Sequence, residues 1–251
     1  MPAPGPYLWL VLLELALAVA TVVGLRFLTA PYGRHGRPGW GPTVPARVGW
    51  LVMESPAVLW FLIVYLTGAH KAAVVPLVLL TLWQLHYLQR TLVYPLLMRT
   101  GARMPVSIMA MAIAFNTLNA YVNARWIGDL GHYPTSWLAD PRFLAGTVLF
   151  LGGLAVNLDA DRRLRRLRGP GETGYRIPHG GAFRWVSSPN YTGEIVEWFG
   201  WALATWSLPG LAFALYTTAN LAPRALANHR WYHEQFPTYP PQRRALLPHL
   251  L

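Results

Sequence analysis

Hydrophobic residues gather in seven blocks, at roughly 8–30, 48–68, 72–98, 104–124, 141–160, 191–209 and 210–227. Each is near the ~20 residues that an α-helix needs to cross a bilayer. "VVPLVLLTLW" and "FLAGTVLFLGGLAV" lack the polar stripe of a helix that faces water on one side. The pattern predicts an all-α membrane protein, a seven-transmembrane-helix bundle, with residues 1–251 forming a single integral domain. Only the turn Ser207-Leu208-Pro209-Gly210 divides the last two blocks. The first block lacks the basic start and small-residue cleavage site of a signal peptide, so it reads as a membrane helix. Pro and Gly cluster in 31–45 and 169–181, which read as loops.

Composition agrees. The chain is 54% hydrophobic and 12% charged, against about 25% charged in soluble domains. The net charge of +11 is uneven. "DRRLRRLR" (161–168) holds five arginines, the first and third loops hold Arg34, Arg37, Arg47, Arg99 and Arg103, and the tail holds Arg224, Arg230, Arg243 and Arg244. By the positive-inside rule the N-terminus is outside and the C-terminus cytosolic. That makes a multi-pass protein of a bacterial inner membrane or of the endoplasmic reticulum. Lys71 is the one lysine, and such an arginine bias fits a GC-rich, bacterial genome. Arginines placed between apolar spans argue for a lipid bilayer and against nucleic acid as the partner. With no cysteine, disulfides, thiolate metal sites and cysteine nucleophiles are excluded.

Ionisable residues inside apolar blocks are functional candidates, because a charge at the bilayer centre costs ~2.5–3.5 kcal/mol on insertion scales. Glu54 lies in "WLVMESPAVLW", where Pro56 loosens the helix ladder. Tyr87 lies in "QLHYLQRTLVYPLL" among His86, Gln84, Gln89 and Arg90, with Tyr94 two turns on. Asn116, Asn119 and Asn123 make a polar stripe suited to bonds between helices. Asn157, Asp159 and Asp161 form a polar helix end. Glu194 and Glu197 share a face at the start of the sixth block. Glu14, in the first block, is a buried acid expected to have a partner. His229 and His233, four apart, suggest two metal ligands, but no third ligand presents itself, so no metal is expected.

"GPGETG" (169–174) matches the dinucleotide pattern G-x-G-x-x-G. That motif needs a strand before it and a helix after it. Here it follows an arginine-rich helix end, so a Rossmann sheet is rejected. Its amides, with Arg165, Arg166, Arg168 and Arg176, still suit a phosphate.

At "LRRLRGPGETGYRIPHGGAFRWVSSPNYTGEIVEWFGWALATWSLP" the chain resembles the C-terminal region of the steroid 5α-reductases. "PYGRHG", "PARVGWLVMESP", "LHYLQRTLVYPLL" and "HRWYHEQFPTYPPQRRALLPHL" extend the resemblance over nearly everything after the first block. It implies a seven-helix membrane reductase that takes a hydride from NADPH and saturates the Δ4 bond of a 3-oxo steroid, working as a monomer. Cytosolic-side loops would close the cofactor cavity, and 157–251 would form most of the NADPH site. The resemblance makes Glu54 and Tyr87 catalytic. It places Asn157, Asp161, Arg168, Asn190, Glu194, Tyr232 and Arg243 at the NADPH site, with Tyr32, Tyr94, Tyr175, Arg176, Trp198, Arg224 and His229 as further cofactor-side positions. Trp50 and Phe115 become substrate-cavity walls. Met53 and Met111 stand where family members carry a glutamine and an arginine, and Asn228 stands at a histidine position. The two methionines bear on which steroid is preferred. On this reading Asn190, Glu194 and Glu197 line the cytosolic mouth of the cavity.

The chemistry is coherent. An enone accepts hydride at its β-carbon when the charge developing on its carbonyl oxygen is stabilised, and two donors in a dry site do this best. Tyr87 donates its phenol, and Glu54 donates when protonated. Three rivals remain open. One is a reductase of another lipid enone, a polyprenol or an enoyl chain. Another is an S-adenosylmethionine-dependent isoprenylcysteine-type methyltransferase, similar around "PNYTGE" but lacking the Arg-His that often precedes it. The last is a non-enzymatic membrane protein.

Overall fold

The computed structural model describes residues 5–29, 35–98, 101–167, 169, 172, 174–248 and 250. Among them, seven long helical runs follow in order, with short 3-10 turns at Thr135–Ala139 and Gly181–Arg184 between them. The long runs are α1 (Pro6–Phe27), α2 (Ala46–Leu66), α3 (74–97), α4 (Val106–Leu130), α5 (Pro141–Arg166), α6 (Pro189–Thr205) and α7 (Leu208–Gln235). Each apolar block has its helix. The main departures are extensions: α5 continues through the arginine run to Arg166, and α7 reaches Gln235. Polarity there marks a wet helix end rather than the end of the helix. Four runs, α1, α2, α4 and α5, are long and apolar enough to cross a membrane. The other three carry polar residues within them, such as Gln84, His86 and Arg90 in α3 and Asn190 and Glu194 in α6.

Three helices contain a π turn: α2 at Pro56–Trp60, α3 at Gln89–Val93 and α4 at Trp126–Leu130. Such turns are rare and often sit at functional sites. Pro56 explains the first. It has no N–H, so the Val52 carbonyl loses its α-helical partner. The Ser55 hydroxyl donates to that carbonyl instead, at 2.9 Å.

The core is aromatic. Trp83 of α3 stacks on Phe61, with ring centroids 4.3 Å apart, and lies 5.4 Å from Trp198 and 5.2 Å from Trp201 of α6. The indole N–H groups of Trp83 and Trp201 are satisfied. Trp83 donates to the Ala57 carbonyl (2.8 Å) and Trp201 to Asn123 Oδ1 (2.9 Å). Asn123 donates in turn to Asn119 Oδ1 at 2.8 Å. Asn123 thus ties α4 to α6, as a bond between helices should.

Helices α5 and α6 meet along glycine. A Cβ on Gly153 would lie 2.5 Å from both the Glu197 nitrogen and the Gly193 oxygen. One on Gly200 would lie 2.4 Å from the Phe150 nitrogen. Small residues let the two backbones touch.

A short clasp was not legible as a strand pattern. Thr43–Pro45 (β1) pairs antiparallel with Arg103–Pro105 (β2), Thr43 opposite Pro105. Each strand runs directly into a helix, so the pair ties the starts of α2 and α4 together. Gly169, Glu172 and Gly174, the described part of "GPGETG", lie outside both strands.

Glu14 corrects an expectation. It is fully buried, and among the described residues neither carboxyl oxygen has a hydrogen-bond partner. The neighbouring cluster of Val11, Val122 and Ala212 is apolar, and the Tyr7 hydroxyl packed against it donates instead to the Val122 carbonyl at 2.8 Å.

Candidate active site

Two cavities adjoin. The first, about 420 Å³, opens among α1, α2, α3, α4, α6 and α7. Its walls are mostly apolar and include Trp50, Met53, Met111 and Phe115. Glu54 and Tyr87 line it as well, and both are buried. All six expected substrate-side and catalytic residues therefore meet in one space. Glu54 is fixed by Asn116 of α4, whose amide donates to Glu54 Oε2 (3.1 Å) and to the Met53 carbonyl (2.7 Å). The Tyr87 ring is wedged between Trp83 (centroids 4.8 Å) and Trp198 (5.6 Å).

The second cavity, about 380 Å³, shares Trp50, Arg90, Met104, Leu221 and Arg224 with the first. Tyr94, Asp161, Tyr175, Arg176, Asn190 and Tyr232 line it. Among the described residues that line it, Arg90, Arg103, Arg165, Arg176 and Arg224 stand with one carboxylate, Asp161, and Arg176 also pairs with Glu172 at 3.0 Å. Buried Nη1 of Arg165 has no hydrogen-bond partner among the described residues. An excess of guanidinium with an unused donor suits a polyanion.

The remaining expected positions divide. Glu194, Trp198 and Arg224 line the first cavity. Asn157 stands behind the walls, donating to the Asn190 carbonyl (3.0 Å) and Glu194 Oε2 (3.3 Å). Arg243 and His229 line neither cavity. Arg243 is buried and donates to the Pro178 carbonyl at 3.0 Å. His229 bonds through Nδ1 to Ser187 Oγ at 2.6 Å, and its ring lies 4.6 Å from that of His233. Tyr32 and Arg168 lie outside the described residues.

Glu197 does not line the mouth as expected. It is fully buried, lines neither cavity, and pairs with His86 Nδ1 at 2.8 Å. Residues three apart on a helix lie on one broad face but about 60° apart around the axis, and that offset takes Glu197 from the cavity to His86.

Arg90 is a site residue that the sequence left in the background. Its guanidinium lies 3.5 Å from Asp161 and 3.8 Å from Glu194, and 4.6 Å from the ring centroids of both Trp50 and Tyr94. It joins the two cavities. The signal was its place three residues after Tyr87, one turn along the same helix.

The sequence profile described as 3-oxo-5-alpha-steroid 4-dehydrogenase matches residues 102–251. The chain belongs to this family. It is 45% identical over 245 residues to the 3-oxo-5-alpha-steroid 4-dehydrogenase 1 of Rattus norvegicus, covering 96% of this chain and 94% of the rat protein. It is 44% identical over 241 residues to the steroid 5-alpha-reductase DET2 of Gossypium hirsutum, covering 92% of each. With the human 3-oxo-5-alpha-steroid 4-dehydrogenase 1 it shares 42% over 240 residues, 95% of this chain and 93% of the other. This 3-oxo-5α-steroid 4-dehydrogenase homologue is an oxidoreductase of the family's type, with apolar helices suited to a membrane.

Proposed function

We propose that the protein uses NADPH to reduce the Δ4 bond of 3-oxo-Δ4 steroids to 5α-dihydro products. One observation carries this reading: an acid and a phenol from different helices line an apolar cavity that shares a wall with an arginine-lined one. The first cavity takes a flat apolar enone. Tyr87, and Glu54 in its protonated form, donate hydrogen bonds to the carbonyl oxygen as charge develops there. Asn116 occupies Glu54 Oε2 with an N–H, which leaves Oε1 to carry the acid proton toward the substrate. Preorganised donors in a dry site stabilise such charge without reorganising.

The second cavity takes the dinucleotide. Arg165, Arg176 and Arg224 hold phosphates, while Asn190, kept in place by the Asn157 bond to its carbonyl, and Glu194 serve its polar groups. Reduced nicotinamide, when bound, supplies the hydride to the β-carbon. The chain forms one integral membrane unit of seven spans, N-terminus outside and cytosolic at the second cavity, with 157–251 making most of the cofactor site, and it acts as a monomer.

The test follows NADPH oxidation by the detergent-purified protein with a 3-oxo-Δ4 steroid. Steroid-dependent oxidation that falls about 10²–10³-fold in both Glu54→Gln and Tyr87→Phe supports the reading. NADPH binding without steroid turnover would move the substrate to polyprenyl or enoyl lipids. Absence of NADPH binding would sink the cofactor assignment.

A further inference from the structure

His86 lines the first cavity next to Tyr87, and holding a carbonyl leaves it unused. Its ring is fixed on three sides. Nδ1 lies 2.8 Å from Glu197 Oε1. The imidazole meets Tyr87 edge-on with centroids 4.9 Å apart, and Trp198 likewise at 4.7 Å. With Nδ1 occupied, Nε2 is the remaining ring nitrogen. Glu197 is a carboxyl sealed from solvent, and its Oε2 has no partner among the described residues. A buried acid whose recorded side-chain partner is one histidine fits the role of orienting that ring.

Reducing an enone takes more than hydride. After hydride reaches the β-carbon, the α-carbon must gain a proton. The α-carbon is bonded to the carbonyl carbon, so its donor must stand beside the pair that holds the carbonyl. Other charged side chains on that wall are unsuited. Arg90 and Arg224 do not release a proton. Glu194 is already engaged, accepting from Asn157 and facing Arg90 at 3.8 Å. Glu54 and Tyr87 are engaged by the oxygen. Histidine is the side chain that gives and regains a proton near neutral pH.

We propose that His86, its ring held by Glu197, donates the proton to the substrate carbon next to the carbonyl. The proposal rests on the enone-reductase reading. As the enolate collapses, its electron pair forms the α-carbon–hydrogen bond, and the His86 Nε2–H bond breaks. The imidazolium becomes a neutral imidazole with its Nδ1 proton still shared with Glu197. Substrate gains one hydride and one proton, and solvent returns a proton to His86. Glu197 is a positioning residue, since it acts through the ring.

The experiment compares the full-length wild type, His86→Gln and Glu197→Gln in deuterium oxide. It reads kcat, KM, NADPH affinity and the face of the α-carbon that carries deuterium. Wild type should label one face. His86→Gln should lose about 10²-fold in kcat, with KM and NADPH affinity within threefold, and should label both faces. Glu197→Gln keeps an oxygen to accept from Nδ1. It should lose about tenfold and still label one face.

Wild-type product labelled equally on both faces overturns the proposal without any variant, so a misfolded His86→Gln would not shelter it. So does a His86→Gln enzyme that binds NADPH with kcat within threefold of wild type. Wild type that oxidises no NADPH with any enone fails the reductase reading itself, a result distinct from active enzyme with indifferent variants.

Discussion

Asn116 holds Glu54: one amide bridges the Glu54 carboxyl at 3.1 Å and the backbone of the preceding residue at 2.7 Å. The donor thus fixes both the rotamer and the free oxygen of the acid. Asn116→Leu keeps the volume and removes the N–H. A hydrogen bond of this kind is worth about 1 kcal/mol, and 1.4 kcal/mol is tenfold in rate. Turnover should fall about fivefold with NADPH affinity unchanged, read by steady-state kinetics and by nucleotide titration.

Glu54 and Tyr87 are proposed to serve one oxygen, so their losses should not multiply. The double variant Glu54→Gln/Tyr87→Phe should be little slower than the worse single variant. Multiplicative losses in a double-mutant cycle would mean that the two groups act on different atoms.

Arg90 faces two carboxylates and two aromatic rings at once. Arg90→Leu leaves Asp161 and Glu194 without that guanidinium, a change that is strongly destabilising when a buried partner is removed. Arg90→Lys supplies charge but no planar fork to stack between Trp50 and Tyr94. Both variants should bind NADPH at least tenfold more weakly, and lysine should not rescue. Fluorescence titration of NADPH decides.

The unused Nη1 of Arg165 predicts selectivity between cofactors. Arg165→Leu should weaken NADPH binding about tenfold and leave NADH binding within twofold. Equal losses for both nucleotides would move the 2′-phosphate to another arginine.

Gly153 and Gly152 are adjacent and opposite in consequence. A Cβ at Gly153 meets backbone on two sides at 2.5 Å, whereas one at Gly152 meets nothing within 4 Å. Gly153→Ala should cost about 1–3 kcal/mol through overpacking and lower the melting temperature in detergent. Gly152→Ala should not lower it, because alanine is the better helix former.

Much of this was written in the order of residues. Glu54 and Tyr87 stand out because an acid and a phenol within apolar blocks need a reason to be there, and Pro56 announces the broken ladder beside the first. What stayed hidden is pairing at long range. Glu197 and His86 are 111 residues apart, and spacing alone put Glu197 with Glu194 at the mouth. Only the packing of α6 against α3 brings it to His86. Asn116 looked like Asn119 and Asn123, yet it serves the cavity while they serve the core. Tyr87 was legible, but His86 beside it read merely as polar company. The β clasp escaped because three residues are too few for an alternating pattern and both strands end in proline.

The π turn at Pro56–Trp60 has a consequence for length. A π loop closes over one more residue than an α loop. Removing a single residue from 56–60 would let α2 return to the α form with Glu54 and Phe61 still in phase, because the wide turn absorbs one extra residue without passing its roughly 100° of rotation on. The segment should therefore tolerate the loss of one residue better than the gain of one.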